Sequence, residues 1–305
     1  MTKNKEQAGL FLIFLTALIS GVSIYINKLA TISLDPLLLT TLKNFLVAVI
    51  LLIVLIGKGE VKNLKKINPR LWLNLLLIGL IGGSLPFLLF FKGLAQTSAS
   101  QAGLIHKNMF LLVAFLSPLL LAEKLEKNFF VAAFFLLIGN YFLLKSGQHL
   151  VFNHGDLLVL LATLLWSFEI IFSKKILKNL SPNIVAFGRM FFGSLLMISY
   201  LFISGGFANL KLLNLNQALW LILTVFLLLG YNLTWFNGLK SVRASLASAV
   251  LTLAAPITAF ITLIAGSTIS TWDVAGVIFI SFGLLLIYGV GRSLGGAAKT
   301  SYERT

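Results

Sequence analysis

The chain has 305 residues, of which 58% are hydrophobic and 11% are charged, and its mean hydropathy is +0.99. A soluble domain carries about a quarter charged residues, so this composition excludes a chain surrounded by water and predicts an integral membrane protein. The net charge of +15 does not indicate nucleic-acid binding, because the basic residues lie in short segments between apolar runs, as in multi-span membrane proteins.

Ten apolar runs follow one another along the chain, each near the roughly 20 residues that a helix needs to cross a bilayer. The connections are short, and the longest, residues 57–70, is a basic loop. We therefore predict one all-α membrane unit of ten transmembrane helices. The predicted spans are residues 9–32, 36–56, 71–91, 98–121, 128–145, 156–178, 182–204, 216–236, 243–265 and 271–290.

Lys and Arg are distributed unevenly between the two sides that these spans define. Seventeen lie on the side of the amino terminus and four on the other side, and cytoplasmic loops carry the excess of basic residues. We therefore predict a multi-pass protein of the cell (inner) membrane with both termini in the cytoplasm. The remaining three, Lys43, Lys107 and Arg189, fall within spans, where ionisable residues mark functional positions.

The sequence repeats itself at a nearly constant offset. FKGLAQTSASQAGL from Phe91 matches FNGLKSVRASLASA from Phe236, 145 residues later. Four further residues recur after 146 residues, in the pairs Gly9 and Gly155, Lys28 and Lys174, Pro36 and Pro182, and Lys43 and Arg189. Each half holds five spans, an odd number, so the second half must be inverted relative to the first. We predict two inverted five-helix repeats, residues 1–148 and 149–305, as in many alternating-access transporters.

Five plus five inverted spans, a basic residue early in the second and seventh spans, and LSPLLLAEKL at the end of the fourth resemble the drug/metabolite transporter superfamily, in its EamA family. The resemblance covers nearly the whole chain. It implies a substrate cavity between the halves, lined by the first, third, fourth, sixth, eighth and ninth spans. It does not define the substrate, because members carry amino acids, sugars, nucleotide sugars, drugs and other metabolites.

The resemblance also concerns one acidic residue. Glu123 matches a Glu that commonly follows the fourth span in the family, which implies a helix or loop anchor; the second half has Thr268 at the equivalent place. The residues themselves favour another interpretation, because Glu123 and Glu126 alternate with lysines at a span end and are expected to be solvated loop charges.

His106, Lys107 and Asn108 stand near the middle of the fourth predicted span. A central Lys costs roughly 2.5 to 3.5 kcal/mol to insert and almost always faces a protein interior or a wet cavity. The second repeat has Leu251 and Thr252 at the positions matching His106 and Lys107, so the charge is asymmetric, as expected of a substrate or coupling site. Lys107 either attracts an anionic or carboxylate-bearing substrate, which we favour, or carries a proton, for which His106 is better suited.

Glu169 is the one carboxylate deep within a predicted span. At 1.5 Å per residue it lies about 20 Å below the outer face, and Arg189 lies about 10 Å from the inner face of a core roughly 30 Å thick, so both reach the same depth. We predict an ion pair between Glu169 and Arg189. In the alternative, Arg189 and Lys43 extend to the headgroups.

Trp166 is a candidate for lining the cavity, with ordinary aromatic packing as the alternative.

Three prolines, Pro86, Pro118 and Pro256, fall inside predicted spans. A proline within a helix removes one hydrogen bond and favours a kink. We regard the three as gating candidates, with static kinks as the alternative.

These features together predict a secondary transporter that moves a small polar metabolite, amino-acid-like or anionic, by alternating access. Export is the expected direction and a proton the expected coupling ion. The alternatives are efflux of lipophilic drugs or cations and, outside transport, a lipid-handling protein or an intramembrane enzyme. An enzyme would need paired carboxylates, H-E-x-x-H or a nucleophile with its base, and none of these patterns occurs.

The expected partners follow from the same composition. They are the lipid bilayer and a small-molecule substrate, with no nucleic acid. No metal and no cofactor are expected, because the chain has no cysteine and no G-x-x-x-x-G-K motif. The oligomeric state stays open, with a monomer as the simplest expectation.

Overall fold

The structure, a computed structural model, describes residues 3–97, 99–143, 152–205, 213–266 and 270–302, without the side chains of residues 3, 99, 100 and 287–302. The regular structure in these ranges is helical. A six-residue π-helical segment, Gly79–Ser84, lies between the helices Pro69–Ile78 and Leu85–Leu94. The helices are α1 (Lys3–Ala30), α2 (Pro36–Gly57), α3 (Val61–Leu64), α4 (Pro69–Ile78), α5 (Leu85–Leu94), α6 (Ala99–Lys107), α7 (Met109–Leu121), α8 (Lys127–Leu143), α9 (His154–Ile176), α10 (Pro182–Ile203), α11 (Leu215–Ser241), α12 (Ala244–Leu251), α13 (Ala254–Ile264) and α14 (Thr271–Tyr302).

Eight segments within the described ranges are long and apolar enough to cross a membrane. They are Asn4–Ala30, Pro36–Gly57, Pro69–Leu94, Gln101–Leu121, His154–Ile176, Pro182–Ile203, Leu215–Ser241 and Ala244–Ile264. Lys127–Leu143 and Thr271–Leu286 are apolar but shorter. A multi-pass, all-helical protein is therefore confirmed, whereas the count of ten spans stays a prediction. The repeat boundary predicted at residues 148 and 149, and Thr268, lie outside the described residues.

Prolines and capping side chains determine where two of the spans begin. Pro36 and Pro182 occupy the first turn of α2 and α10, where a missing N–H costs no helix hydrogen bond. Asp35 and Ser181 precede them and accept backbone N–H groups of the first turn, at 2.8 and 3.4 Å. These local signals explain why the predicted starts at residues 36 and 182 agree with the structure.

Three predicted spans are interrupted rather than continuous. The third contains the π-helical segment, the fourth breaks at Asn108, and the ninth breaks at Thr252 and Leu253. A proline lies beyond two of these irregularities, namely Pro86 and Pro256. Because a proline lacks an N–H and crowds the carbonyl four residues earlier, the α-helical pattern is lost before each of them. The predicted kinks therefore have counterparts at Pro86 and Pro256, and each interrupted span is still long and apolar enough to cross a membrane.

The third gating candidate behaves differently. Pro118 lies inside α7, which is continuous from Met109 to Leu121. Pro256 falls in the first turn of α13, where its missing N–H has little consequence. Only Pro86 and Pro256 therefore coincide with a change of helix geometry, and a gating role for any of the three stays a prediction.

Helix boundaries repeat along the chain at the offset seen in the sequence. Both ends of α10 lie 146 residues after the corresponding ends of α2, since Pro36–Gly57 corresponds to Pro182–Ile203. The break of the ninth span at Leu253 lies 145 residues after the break at Asn108. Local geometry thus follows the sequence repeat at these places, whereas the π-helical segment Gly79–Ser84 has no counterpart in α11, which is continuous from Leu215 to Ser241.

Two groups of packed helices each contain one helix from the opposite half of the chain. In the α9 group, α9 packs against α5, α6 and α7; in the α1 group, α1 packs against α11, α12 and α13. Glycine pairs bring helices into close contact in both groups. A Cβ on Gly93 would lie 2.6 Å from the carbonyl oxygen of Gly155, and a Cβ on Gly238 would lie 2.9 Å from that of Gly9.

Candidate functional site

A backbone carbonyl in the third span accepts hydrogen bonds from two side chains of the second half. Pro86 has no N–H, so the carbonyl of Gly82 lacks the donor that an α-helix would supply four residues later. Arg189 Nη2 donates to this oxygen at 3.0 Å and Trp166 Nε1 at 3.1 Å. The irregular third span therefore provides the contact point for α9 and α10.

The predicted pair of Glu169 and Arg189 is brought together at this point. Arg189 Nε lies 3.5 Å from Glu169 Oε1, and their side chains are only 11% and 4% exposed. Ser173 Oγ donates to the same carboxylate oxygen at 2.7 Å. At 3.5 Å the contact is longer than a good N–H···O bond, and Nε is buried without a hydrogen bond. The contact is a coulombic pair, and extension of Arg189 to the headgroups is a wrong alternative.

Glycine is required where the third span meets this pair. A Cβ on Gly82 would lie 2.3 Å from Glu169 Cγ and 3.1 Å from Arg189 Nε. Gly83 is equally confined, because its Cβ would lie 2.6 Å from the carbonyl oxygen of Arg189. The glycines thus allow the backbone of the third span to approach both charged residues.

Gly82→Ala is therefore expected to lower the free energy of unfolding by about 1 to 3 kcal/mol, the usual cost of overpacking. The matched control is Gly57→Ala, because a Cβ at Gly57 meets no atom within 4 Å. Denaturation of the purified variants in mixed micelles would measure the free energy of unfolding of each. Equal stability of the two variants would contradict the close packing around Glu169.

Aromatic side chains extend the site from Trp166 towards the fourth span. The ring of His106 lies 4.8 Å from that of Trp166 and 5.5 Å from that of Phe90, between centroids. Phe87 also contacts Trp166, at 5.2 Å. Trp166 itself is 8% exposed, so aromatic packing accounts for its ring and cavity lining stays a prediction. His106 Nδ1 is buried and has no hydrogen-bond partner within the described structure.

Lys107 and Asn108 have different environments although they are adjacent. Lys107 is half-buried at the carboxyl end of α6, and among the residues that the structure describes its ammonium group has no hydrogen bond or ion pair. Asn108 Nδ2 donates to the carbonyl of Leu104 at 3.0 Å, and Asn108 Oδ1 accepts from Asn140 at 3.4 Å. Asn108 therefore stabilises the break between α6 and α7, whereas a role for Lys107 in binding a ligand stays a prediction.

Lys43 does not join this cluster. Its Nζ donates to Asn27 Oδ1 at 2.8 Å, and Asn27 in turn donates to Ser23 on the same helix, α1. Extension of Lys43 to the headgroups was a wrong alternative, because Asn27 binds the ammonium group within the protein. A second polar side chain of α2, Asn44, donates to the carbonyl of Gly83 at 3.3 Å.

Glu123 is an anchor, as the family resemblance implied. Its carboxylate accepts from Ala244 N at 2.6 Å and from Ser245 Oγ at 2.8 Å. The interpretation of Glu123 as a solvated loop charge is therefore wrong. Glu126 is 29% exposed and lies 3.5 Å from Arg243 in a partly solvated pair.

Several contributors to the site could not be singled out from the sequence. Gly82, Phe90 and Asn27 have no charge and no motif, although Pro86 four residues after Gly82 is a signal that its carbonyl is free. In the ranges that the structure describes, no three His, Cys, Asp or Glu side chains come together as a metal-binding group. The chemistry within the bundle is that of buried charges, amides and aromatic rings.

Long apolar helices around a buried ion pair define a multi-pass membrane protein with a polar intramembrane site. The model of the EamA-like transporter family matches residues 7–145 and 153–289. The chain therefore belongs to the EamA-like transporter family, as the resemblance predicted.

Relatives of known sequence and structure agree with this assignment. An uncharacterized transporter, YyaM of Bacillus subtilis (strain 168), is 28% identical over 255 residues, 80% of this chain and 81% of YyaM. The riboflavin transporter ImpX of Fusobacterium nucleatum subsp. nucleatum is 28% identical over 256 residues, 79% of this chain and 85% of ImpX. A protein of known crystal structure has the same fold, with a TM-score of 0.79 at 20% identity over 94% of this chain and 98% of that one.

Proposed function

We propose that the protein is a secondary transporter of the cell (inner) membrane that moves a small polar metabolite by alternating access. Ten spans form two inverted repeats, with both termini in the cytoplasm. Three observations support the repeats: helix boundaries recur after 146 residues, the family model matches two successive ranges, and α1 and α9 each pack into the opposite half. Inverted repeats around a central site are a common basis of alternating access.

The observation that carries the proposal is the polar cluster between the two halves. Gly82 and His106 come from the first half, and Trp166, Glu169 and Arg189 come from the second. Buried ionisable residues between transmembrane helices mark substrate or ion pathways more often than scaffold positions. Such a cluster would have no function in a purely structural or lipid-handling protein. The relatives are also named transporters.

The charge of the cluster supports an anionic or zwitterionic substrate. The predicted spans contain three cations, Lys43, Lys107 and Arg189, and one deep carboxylate, Glu169. Arg189 pairs with Glu169 and Lys43 binds Asn27, which leaves Lys107 as the cation available to a ligand. A carboxylate would find its counter-charge there, whereas a lipophilic cation would be repelled.

A planar aromatic substrate is a second candidate. The rings of Phe90, His106 and Trp166 contact one another within the same cluster, and aromatic faces stack on flat heterocycles. The relative ImpX is named a riboflavin transporter. The two candidates are compatible, because an aromatic carboxylate would use both the rings and Lys107.

Counterflow in proteoliposomes that contain the purified protein tests the function. The panel comprises amino acids, carboxylates with and without an aromatic ring, riboflavin and a lipophilic phosphonium cation. We expect saturable counterflow of an acidic or zwitterionic compound and none of the phosphonium ion. Exclusive transport of the cation, or no counterflow by any compound, would contradict the proposal.

A further inference from the structure

Two helix ends lie side by side where α11 is followed by α12. α11 ends at Ser241 and α12 begins at Ala244, so carbonyls without helix donors and N–H groups without helix acceptors occur within a few residues. Under the proposed topology this hairpin is on the cytoplasmic face. It belongs to the α1 group.

Charged side chains of the α9 group bind both helix ends. Lys174 Nζ donates to the carbonyls of Leu239, Lys240 and Val242, at 2.7, 3.2 and 2.6 Å. Glu123, beyond the end of α7, accepts from the N–H groups of Ala244 and Ser245, at 2.6 and 3.2 Å, and from the Ser245 hydroxyl. A cation at a helix carboxyl end and an anion at an amino end also complement the helix dipoles.

These contacts join the two groups at one end of the molecule. α12, the segment next to the hairpin, packs against α7, whereas the other segments of the two spans pack elsewhere: α13 against α1 and α14, and α6 against α5, α8 and α9. A pocket of about 320 Å³ borders the joint and is lined by Glu123, Lys174 and Arg243 among others. Water in this pocket could satisfy the same groups when the joint opens, so its opening needs no permanently unpaired charge.

The first repeat carries a counterpart of Lys174 that makes no such contacts. Lys28 precedes Lys174 by 146 residues and occupies the corresponding place near the end of α1. Applied to the carbonyls that bind Lys174, the same offset leads to the carboxyl end of α5. Lys28 is exposed, and within the described part of the chain its ammonium group has no hydrogen bond or ion pair.

From these contacts we propose a pair of alternating latches, an inference that rests on the proposed alternating-access function. Glu123 and Lys174 hold the cytoplasmic end closed in the conformation seen here. When the outer end closes, Lys28 caps the carboxyl end of α5 in the way that Lys174 now caps α11. The outer latch lacks the carboxylate, since Thr268 stands in the place equivalent to Glu123.

Cysteine labelling tests the latches without a known substrate, because the natural chain has no cysteine. The probe is Ser248→Cys on α12, one turn beyond Ser245 and 3% exposed. Inside-out vesicles are treated with a membrane-impermeant maleimide. We expect Lys174→Met and Glu123→Gln to accelerate labelling about tenfold, equivalent to roughly 1.4 kcal/mol, and Lys28→Met to slow it. The control, Glu126→Gln, should change labelling less than about threefold, as for a partly exposed pair.

The labelling rates of the variants test the cytoplasmic latch and the alternation separately. Unchanged labelling in folded Lys174→Met and Glu123→Gln overturns the cytoplasmic latch. Lys28 makes no contacts here, so Lys28→Met should fold even if the other variants do not, and labelling that is unchanged or faster in it overturns the alternation. If the wild type transports a compound but the latch variants leave the labelling rate unchanged, the latches alone are refuted. Responsive labelling with no counterflow by any compound refutes the proposed substrate transport and leaves the latches supported.

Discussion

Arg189→Ala is expected to lower the free energy of unfolding by about 3 to 5 kcal/mol, the usual cost of leaving one member of a buried pair behind. The Glu169 side chain is 4% exposed and would retain Ser173 as its donor, without a counter-charge. The carbonyl of Gly82 would also lose the Arg189 donor and keep Trp166. Titration of the purified protein with denaturing detergent would measure the loss.

The double variant Glu169→Gln and Arg189→Met should recover most of that loss, because neutral groups of similar volume replace a buried pair at little cost. The matched control is Glu126→Ala. Its pair with Arg243 has the same separation, 3.5 Å, but both side chains are 29% exposed, so we expect a loss below about 1 kcal/mol. Similar losses in Arg189→Ala and Glu126→Ala would contradict the burial argument.

Transport by the folded double variant separates two roles of the pair. If the charges only join α9 and α10 to the third span, the double variant transports like the wild type. If Glu169 exchanges a proton or contacts the substrate, the double variant folds and counterflow is lost. The sequence cannot distinguish these roles, because both require the same depth in the membrane.

Depth and spacing were sufficient to predict the pair and most of the spans. Glu169 and Arg189 were placed at one level from the helical rise alone, and the structure brings them together. Pro36 and Pro182 gave accurate helix starts because the signal is local: a proline is best tolerated in the first turn, and a capping side chain precedes it. Each of these predictions uses information within one helix or its immediate neighbour.

Contacts with partners that carry no sequence signal were not predicted. Lys43 binds Asn27 on the preceding helix, α1, and Glu123 binds the amino end of α12, 121 residues away in sequence. Neither partner carries a motif, since an uncharged Asn and a free backbone N–H look ordinary in any sequence. Tertiary packing selects these partners, so only the structure shows why Lys43 need not extend to the headgroups and why Glu123 is not a loop charge.

The breaks in the spans were predictable from the sequence only in part. Each of Gly82 and Thr252 precedes a proline by four residues, and such a carbonyl loses its helix donor. The sequence therefore contains the position of the irregularity but not its consequence. At Gly79–Ser84 the helix widens into a π-helical segment and the side chains of Arg189 and Trp166 bind the carbonyl of Gly82. At Leu253 the helix stops, and the carbonyl of Thr252 accepts from the backbone N–H of Ala255 instead.

The second large effect is expected from a substitution of Lys107. The location of this residue is compatible with two roles. It lies in the last turn of α6, where a cation stabilises the helix end by about 0.3 to 1 kcal/mol. It is also the intramembrane cation without a partner among the described residues. The first role affects stability alone, whereas the second affects the binding of acidic substrates, so stability and affinity measured on one variant separate them.

Lys107→Met is therefore expected to fold, reach the membrane and lose about tenfold to a hundredfold in affinity for acidic or zwitterionic substrates, the worth of one charge-assisted hydrogen bond. Lys107→Arg should retain part of the affinity, because the charge remains while its geometry changes. Lys92→Met is the matched control, since Lys92 is an exposed cation at the end of α5. Competition counterflow with the substrate that the panel identifies would measure all three. Wild-type transport of that substrate by Lys107→Met would assign Lys107 to the helix end, and the substrate's carboxylate would then need another partner, with His106 and its unpaired Nδ1 as the nearest candidate.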